Sequence, residues 1–217
     1  MNRLERVGVL GLQGDFERHT RSIEALGLEA VRVSLPEHLE GLGALLMPGG
    51  ESSTMLNLLE STGLRAPIER FVRERAVLAT CAGLILLARA ADRLVRPTLG
   101  ALDVEVARNA YGRQLHSFSE RVEMPALAGT FPGVFIRAPR IVSVGAGVHV
   151  VATRAGSPGT PPEVVGVRSG RVVGLCFHPE LTSDLRVHRW FLSEVAALTV
   201  PAPVAASGAG ARSPEAA

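Results

Sequence analysis

Three short stretches of this 217-residue chain join reactive residue types to the small or turn-forming neighbours that such chemistry needs. The first, Val77-Leu78-Ala79-Thr80-Cys81-Ala82-Gly83-Leu84-Ile85, puts a cysteine where an apolar strand runs straight into an apolar helix. Ala79 and Gly83, two before and two after it, permit the sharp turn that lifts a nucleophile above the carboxyl edge of a sheet. The start of a helix carries partial positive charge, which favours a thiolate where an ordinary cysteine, with a pKa of about 8.5, is only slightly ionised. A cysteine in an apolar run is by default a buried structural thiol. The strand-turn-helix setting is what argues for Cys81 as a nucleophile.

The second stretch, Gly174-Leu175-Cys176-Phe177-His178-Pro179-Glu180, ends a strand in His-Pro-Glu. Residues two apart on extended backbone point to the same side, so Glu180 can fix the tautomer of His178 while the other ring nitrogen faces Cys81. That is the arrangement of a Cys/His/Glu triad, although His-Pro-Glu by itself is more often a loop with a surface histidine. Cys176, inside the apolar strand, reads as core. His19, His38, His116, His149 and His188 lack a comparable setting and read as surface or packing residues. The third stretch is Met47-Pro48-Gly49-Gly50-Glu51-Ser52-Ser53, where a glycine pair after a strand lets backbone N–H groups approach a ligand, as an oxyanion hole requires. An ordinary strand-to-helix turn has the same look.

Positioning these turns requires strands that end at a common edge. Val7–Leu12, Glu29–Val33, Ala44–Met47 and Val77–Thr80 are short apolar runs, alternating with helical patterns over Asp15–Leu26, a segment opened by Ser52-Ser53-Thr54 and closed near Gly63, Ala66–Arg75 and Gly83–Ala90. Such alternation predicts an α/β fold, a mostly parallel sheet with helices on both faces. After Pro97 the texture changes to β-rich pieces at Leu99–Val106, Glu120–Met124, Gly133–Arg137, His149–Thr153 and Val164–Val167, read as appended antiparallel strands, with Ser169-Gly170 as a hairpin turn. A helix over Leu185–Leu198 closes the fold. The last residues, 201–217, are Ala, Pro, Gly and Ser with little to bury, and read as a disordered tail.

Composition excludes several chemistries. With 47% hydrophobic and 20% charged residues the chain can bury one domain. All 23 basic residues are arginine, so there is no phosphate-loop lysine and no lysine to bind pyridoxal phosphate as a Schiff base. A net charge of +2, spread along the chain, gives no footprint for nucleic acid. Two distant cysteines make neither a zinc site nor a disulfide framework, and no apolar run is long enough to span a membrane. Expectation is therefore of a cytoplasmic protein, and covalent catalysis by a cysteine with a histidine base needs no metal and no organic cofactor.

Taken in order, the Gly-Gly-Glu-Ser turn, the Thr-Cys-Ala-Gly-Leu elbow and the Phe-His-Pro-Glu-Leu-Thr end resemble the triad-type glutamine amidotransferases, and within them the glutaminase subunits of pyridoxal 5'-phosphate synthases. Similar segments are Gly8–Gly14, Arg108-Asn109-Ala110-Tyr111-Gly112-Arg113-Gln114 and Gly133–Pro139, so the resemblance runs from Val7 to about Leu198. It implies a flavodoxin-like three-layer sandwich and an amidotransferase domain over residues 1–200. It implies a glutaminase in which Cys81 is the nucleophile, His178 the acid and base and Glu180 its orienter. Gly49, Gly50, Glu51, Ser52, Arg108, Ile136 and Arg137 would hold L-glutamine, with an oxyanion held by backbone N–H groups of Gly50 and Ala82. Ammonia would pass to a synthase subunit that docks near the Gly11-Leu12-Gln13-Gly14 loop and raises the rate.

Two departures stand out. The family usually has glycine where Ala79 adds a methyl, and Ala155–Glu163 is longer and richer in proline than the family's hairpin. Rival readings are the glutaminase subunit of another amidotransferase, such as that of histidine biosynthesis, a cysteine peptidase or chaperone-like protein of the same superfamily, and a catalytically silent binding module. The Gly-Gly-Glu-Ser-Ser-Thr-Met and Arg-Asn-Ala-Tyr-Gly-Arg-Gln runs, and the intact Cys/His/Glu set, weigh against them.

Overall fold

The computed structural model describes residues 5–110, 117–156 and 159–202. Its first half runs β1 (Arg6–Leu10), α1 (Phe16–Ala25), β2 (Glu29–Val33), β3 (Leu42–Met47), α2 (Ser52–Ser61), α3 (Arg65–Glu74), β4 (Ala76–Thr80) and α4 (Ala82–Leu87). The second half adds β5 (Ala88–Ala91), β6 (Leu102–Ala107), β7 (Ser117–Met124), β8 (Gly129–Ile136), β9 (Arg140–Val144), β10 (His149–Arg154), β11 (Glu163–Ser169) and β12 (Val172–Leu175). α5 (Arg186–Trp190) closes the fold and continues as a π-helical turn over Phe191–Val195.

Nine strands form one sheet in the order β2-β1-β3-β4-β12-β11-β10-β7-β8. From β2 to β12 every pairing is parallel, and from β12 to β8 every pairing is antiparallel. A strand next to a helix must choose which face each side chain takes, and this chooses the layers. Thr80 meets His19 of α1, whereas Gly174, paired with Ala79, faces Leu84 of α4. Neighbouring residues on a strand point opposite ways, so α1 and α4 cover opposite faces. β3 and β4 are buried at every position, as strands covered on both sides must be. The architecture is the expected α/β sandwich with antiparallel strands added.

Several boundaries differ from expectation. The helix after Cys81 does not run to Ala90: it stops at Leu87, where Leu99 N–H caps Leu86 O, and Ala88–Ala91 leaves as a strand parallel to β6. Alanine's helical preference is worth a few tenths of a kcal/mol and yields to a tertiary ladder. β6 also pairs with β9, completing a second, three-stranded sheet that the sequence pattern did not separate from the first. The hairpin turn is Gly170-Arg171 rather than Ser169-Gly170, because Ser169 pairs with Val172 and Gly170 takes the positive φ of 54°. α2 is capped by the carboxylate of Glu51, which accepts from Ser53 N–H and Thr54 N–H, not by the serine cluster. The expected tail lies outside the described residues from 203 onward, as do Ser157 and Pro158 of the proline-rich segment.

Candidate active site

Cys81 sits at the β4–α4 corner with φ of 48°, a left-handed conformation that costs a non-glycine residue about 1–3 kcal/mol. Surrounding contacts hold it there. Its N–H donates to Leu175 O at 2.8 Å, and its carbonyl accepts from Ile85 N–H at 3.3 Å. Gly83 lets α4 close on the end of β3, since a Cβ at that position would lie 2.1 Å from Met47 O. β4 keeps unbroken register through Ala79 on both sides, so the extra methyl is accommodated. Cys81 is nearly buried, and its Sγ lies 3.7 Å from Ile136 O.

His178 follows β12, and its N–H donates to Val134 O of β8 at 2.8 Å, tying the parallel half of the sheet to the antiparallel half. Its ring Nδ1 lies 2.7 Å from Glu180 Oε1. Glu180 does not reach it along an extended backbone, as the spacing suggested. Pro179 starts a single 3₁₀ turn, Pro179–Leu181, that curls the carboxylate back toward the ring. Gly49 closes the group: a Cβ on it would fall 2.4 Å from His178 Cε1 and 3.3 Å from Cys81 Cβ. Cysteine, imidazole and glycine turn are therefore in mutual contact.

Burial disfavours charge on His178, but hydrogen bonds to Cys81 and Glu180, together with their fields, outweigh it and raise its pKa to about 10. Burial likewise opposes ionisation of Glu180, and the polar groups around it, the neighbouring His19 and the hydrogen-bonded His178 imidazolium, hold it at about 2. The pair is a carboxylate with an imidazolium, and the imidazolium stands beside the Cys81 sulfur. Burial, with the fields of Cys81 and Glu163 added, pushes the Cys176 thiol well up. The two thiols differ in setting: Cys81 faces the cleft and the imidazole, and Cys176 lies in the core.

A cleft opens over Cys81, lined by Gly50, Glu51, Ser52, Ile85, Arg108, Asn109, Ile136, Arg137 and His178. Every candidate glutamine-binding residue lines it except Gly49, which packs beneath. Arg108 and Glu51 use their polar atoms on their surroundings: Arg108 donates to Glu51 Oε1, Ser53 Oγ and Arg93 O, and Glu51 caps α2. Burial works against ionisation of Glu51, yet the hydrogen bonds from Thr54 and Ser53 hold its carboxyl at about 2. The two form a braced wall. Arg137, exposed at the end of β8 with φ of 43°, forms no ion pair or hydrogen bond among the described residues, and its guanidinium remains available at the mouth.

The Gly11–Gly14 loop packs on the Gly49–Glu51 turn that borders this cleft. Gln13 Oε1 accepts from Glu51 N–H at 3.1 Å, and a Cβ on Gly14 would lie 1.9 Å from Gly49 O. Ala82 begins α4 directly after the cysteine, so its N–H is among the helix donors that lack an intrahelical partner. Residues 111–116, which include His116 and the end of the Arg108–Gln114 segment, lie outside the described residues.

Sequence reasoning missed the rear of the site. His19 and His188, read as packing or surface residues, are fully buried, and His19 Nε2 lies 3.2 Å from Glu180 Oε2. A signal for His19 existed: it falls three residues after Phe16 and four before Ile23, on the apolar stripe of α1. Ile85 was also unmarked, being one apolar residue in an apolar helix.

Comparison with known proteins places these features in a family. The model of the SNO glutamine amidotransferase family matches residues 9–197. The pyridoxal 5'-phosphate synthase subunit PdxT of Thermotoga neapolitana is 45% identical over 192 residues, 88% of this chain and 99% of that protein. Its counterpart in Geobacillus kaustophilus is 46% identical over 191 residues, 88% of this chain and 94% of that protein. A solved structure described as a glutamine amidotransferase is 47% identical and superposes with a TM-score of 0.81, covering 88% of this chain and 99% of that one.

Proposed function

From the premise that the chain belongs to the SNO glutamine amidotransferase family, we propose that it is the glutaminase subunit of a pyridoxal 5'-phosphate synthase. It hydrolyses L-glutamine to L-glutamate and ammonia, and the synthase subunit consumes the ammonia. The contact of Cys81, His178 and Gly49 over one cleft, with Glu180 bonded behind the imidazole, is the observation that carries this reading.

The chemistry follows from the charges. The Cys81 thiolate adds to the carboxamide carbon of glutamine, and the carbonyl π electrons move onto oxygen, where N–H groups of Ala82 and Gly50 stabilise them. As the C–N bond breaks, the His178 imidazolium gives its proton to the leaving nitrogen, which departs as ammonia and leaves a γ-glutamyl thioester. His178, now neutral, takes a proton from water. The hydroxide adds to the thioester carbon, the C–S bond breaks, and glutamate leaves as the thiolate and imidazolium are restored. Glu180 keeps the ring in one tautomer through both halves. Arg137 pairs with the α-carboxylate of glutamine at the mouth, with the Glu51–Arg108 brace as the opposite wall.

Supporting partner control is the seating of the Gly11–Gly14 loop on the Gly49–Glu51 turn. A synthase subunit docking on that loop re-aims the Gly50 N–H at the oxyanion. No described helix is long and apolar enough to cross a membrane, and we assign the chain to the cytoplasm beside its partner. Steady-state ammonia release, measured while the synthase subunit is titrated in, tests the proposal. A low basal rate should rise at least about tenfold, equivalent to roughly 1.4 kcal/mol of transition-state stabilisation. Absence of ammonia release from glutamine in the assembled complex would reject the activity. A full rate from the isolated chain, unchanged by a bound partner, would reject the gating.

A further inference from the structure

Behind the triad lie two histidines that the steps above leave unused. His19 of α1 and His188 of α5 are fully buried, a costly place for polar rings unless they satisfy one another or a neighbour. His19 Nδ1 lies 3.0 Å from His188 Nε2, and His19 Nε2 lies 3.3 Å from Thr80 Oγ1 and 3.2 Å from Glu180 Oε2.

The needs of the carboxylate settle the tautomers. Glu180 Oε1 accepts from His178 Nδ1, while Oε2 is sealed from water and has no hydrogen-bond partner. The donor at its side is His19, approaching obliquely and shared with Thr80 Oγ1. An acceptor there would set a lone pair against an anion, so His19 carries its proton on Nε2. Its Nδ1 is then an acceptor, and His188 fills it from Nε2–H. That leaves His188 Nδ1 a bare lone pair, in keeping with its having no hydrogen-bond partner.

We propose that His19, oriented by His188, is a positioning residue for glutamine hydrolysis: its Nε2–H anchors the rear oxygen of Glu180 and thereby fixes the carboxylate that holds His178. The inference rests on the triad reading above. Burial lowers the pKa of both rings, that of His188 to about 3, so both are neutral near pH 7. A cationic His19 would compete with His178 for the one carboxylate. The ionisable groups bearing on this site are His178 on the same segment, Cys81 acting through it, His19 and His188, with Asp15 acting on His19. β8, which also packs on the turn, brings no ionisable side chain.

Three variants of the assembled complex separate positioning from packing: His19→Leu, which fills the space without a donor, His19→Gln, which restores an N–H at similar reach, and Glu180→Gln as the reference. For His19→Leu we expect kcat to fall at least about tenfold with KM within about twofold, and the acid limb of kcat to move up by about one pH unit, because Glu180 then protonates more easily. His19→Gln should recover kcat to within about threefold and return the limb. An unmoved acid limb in His19→Leu, or equal damage from both His19 variants, overturns the proposal while a damaged Glu180→Gln leaves the triad standing. A Glu180→Gln enzyme like wild type overturns both. Should His19→Leu not fold, side-chain ¹⁵N spectra of the wild-type protein decide the matter. Neutral, Nε2-protonated His19 is expected at pH 7, and an Nδ1-protonated ring rejects the proposal.

Discussion

The two halves of the large sheet solve different problems. In the parallel half, β3 and β4 are buried at every residue, so no side chain within them can meet a substrate, and the proposed chemistry falls to the turns that follow: Gly49-Gly50 after β3, Cys81 after β4, His178 after β12. In the antiparallel half, β7 and β8 alternate between core and solvent, and the candidate site residues Ile136 and Arg137 are exposed at a strand end. One half sets reacting atoms by dense packing. The other supplies a wall that must admit and release glutamine. Changes in the parallel turns should therefore act on kcat, and changes in the antiparallel wall on KM.

The largest expected effect contrasts the two cysteines. Cys81→Ala should lower kcat at least about a thousandfold with the fold intact, whereas Cys176→Ala should keep kcat within about threefold and show its cost in thermal stability. A glutamine analogue with an electrophilic carbon should add one equivalent to Cys81, and peptide mapping that finds it on Cys176 would overturn the assignment.

Next in size is Gly49→Ala. The new methyl would meet His178 Cε1 at 2.4 Å, and the ring has little room to retreat from the carboxylate that holds it. We expect kcat/KM to fall about a hundredfold, with kcat taking most of the loss; a neutral effect would show that the turn yields.

In the wall, Arg137→Lys should raise the KM for glutamine about tenfold and spare thiol alkylation, since a planar fork binds both carboxylate oxygens and an ammonium does not. An unchanged KM would remove Arg137 from the site. The smallest effect is expected for Val142→Thr on β9, more than half exposed, where stability by chemical denaturation should stay within about 0.5 kcal/mol.

The same division explains what was legible in the sequence. The parallel half could be read almost strand by strand, because full burial writes continuous apolar runs and the turns between them need glycine or a nucleophile at a corner. The second sheet was not separated: Ala88–Ala91 is an alanine-rich extension of a helix by local preference, and only the ladder with β6 makes it a strand. The front of the site was legible from Gly49, Cys81 and His178, whose neighbours signal turns. Its rear was not, because the contact of His19 with Glu180 joins residues far apart in sequence and leaves no local motif.

The pairing of β12 with β4 also orders events in time. Val172 sits beside Val77 and Leu175 beside Thr80, strands separated by about 95 residues of chain, and such a closure is slow compared with forming the local strand-helix units. The cysteine corner is then expected in an early unit, and its proposed base, His178, with one of the last strands. During refolding, shielding of the Cys81 thiol from a bulky alkylating reagent should begin before ammonia release returns; simultaneous recovery would reject this order. On the ribosome the consequence is stricter. His178 lies 97 residues after Cys81, so under the proposed mechanism a nascent chain that carries the cysteine corner has no means of consuming glutamine until that further length has been made.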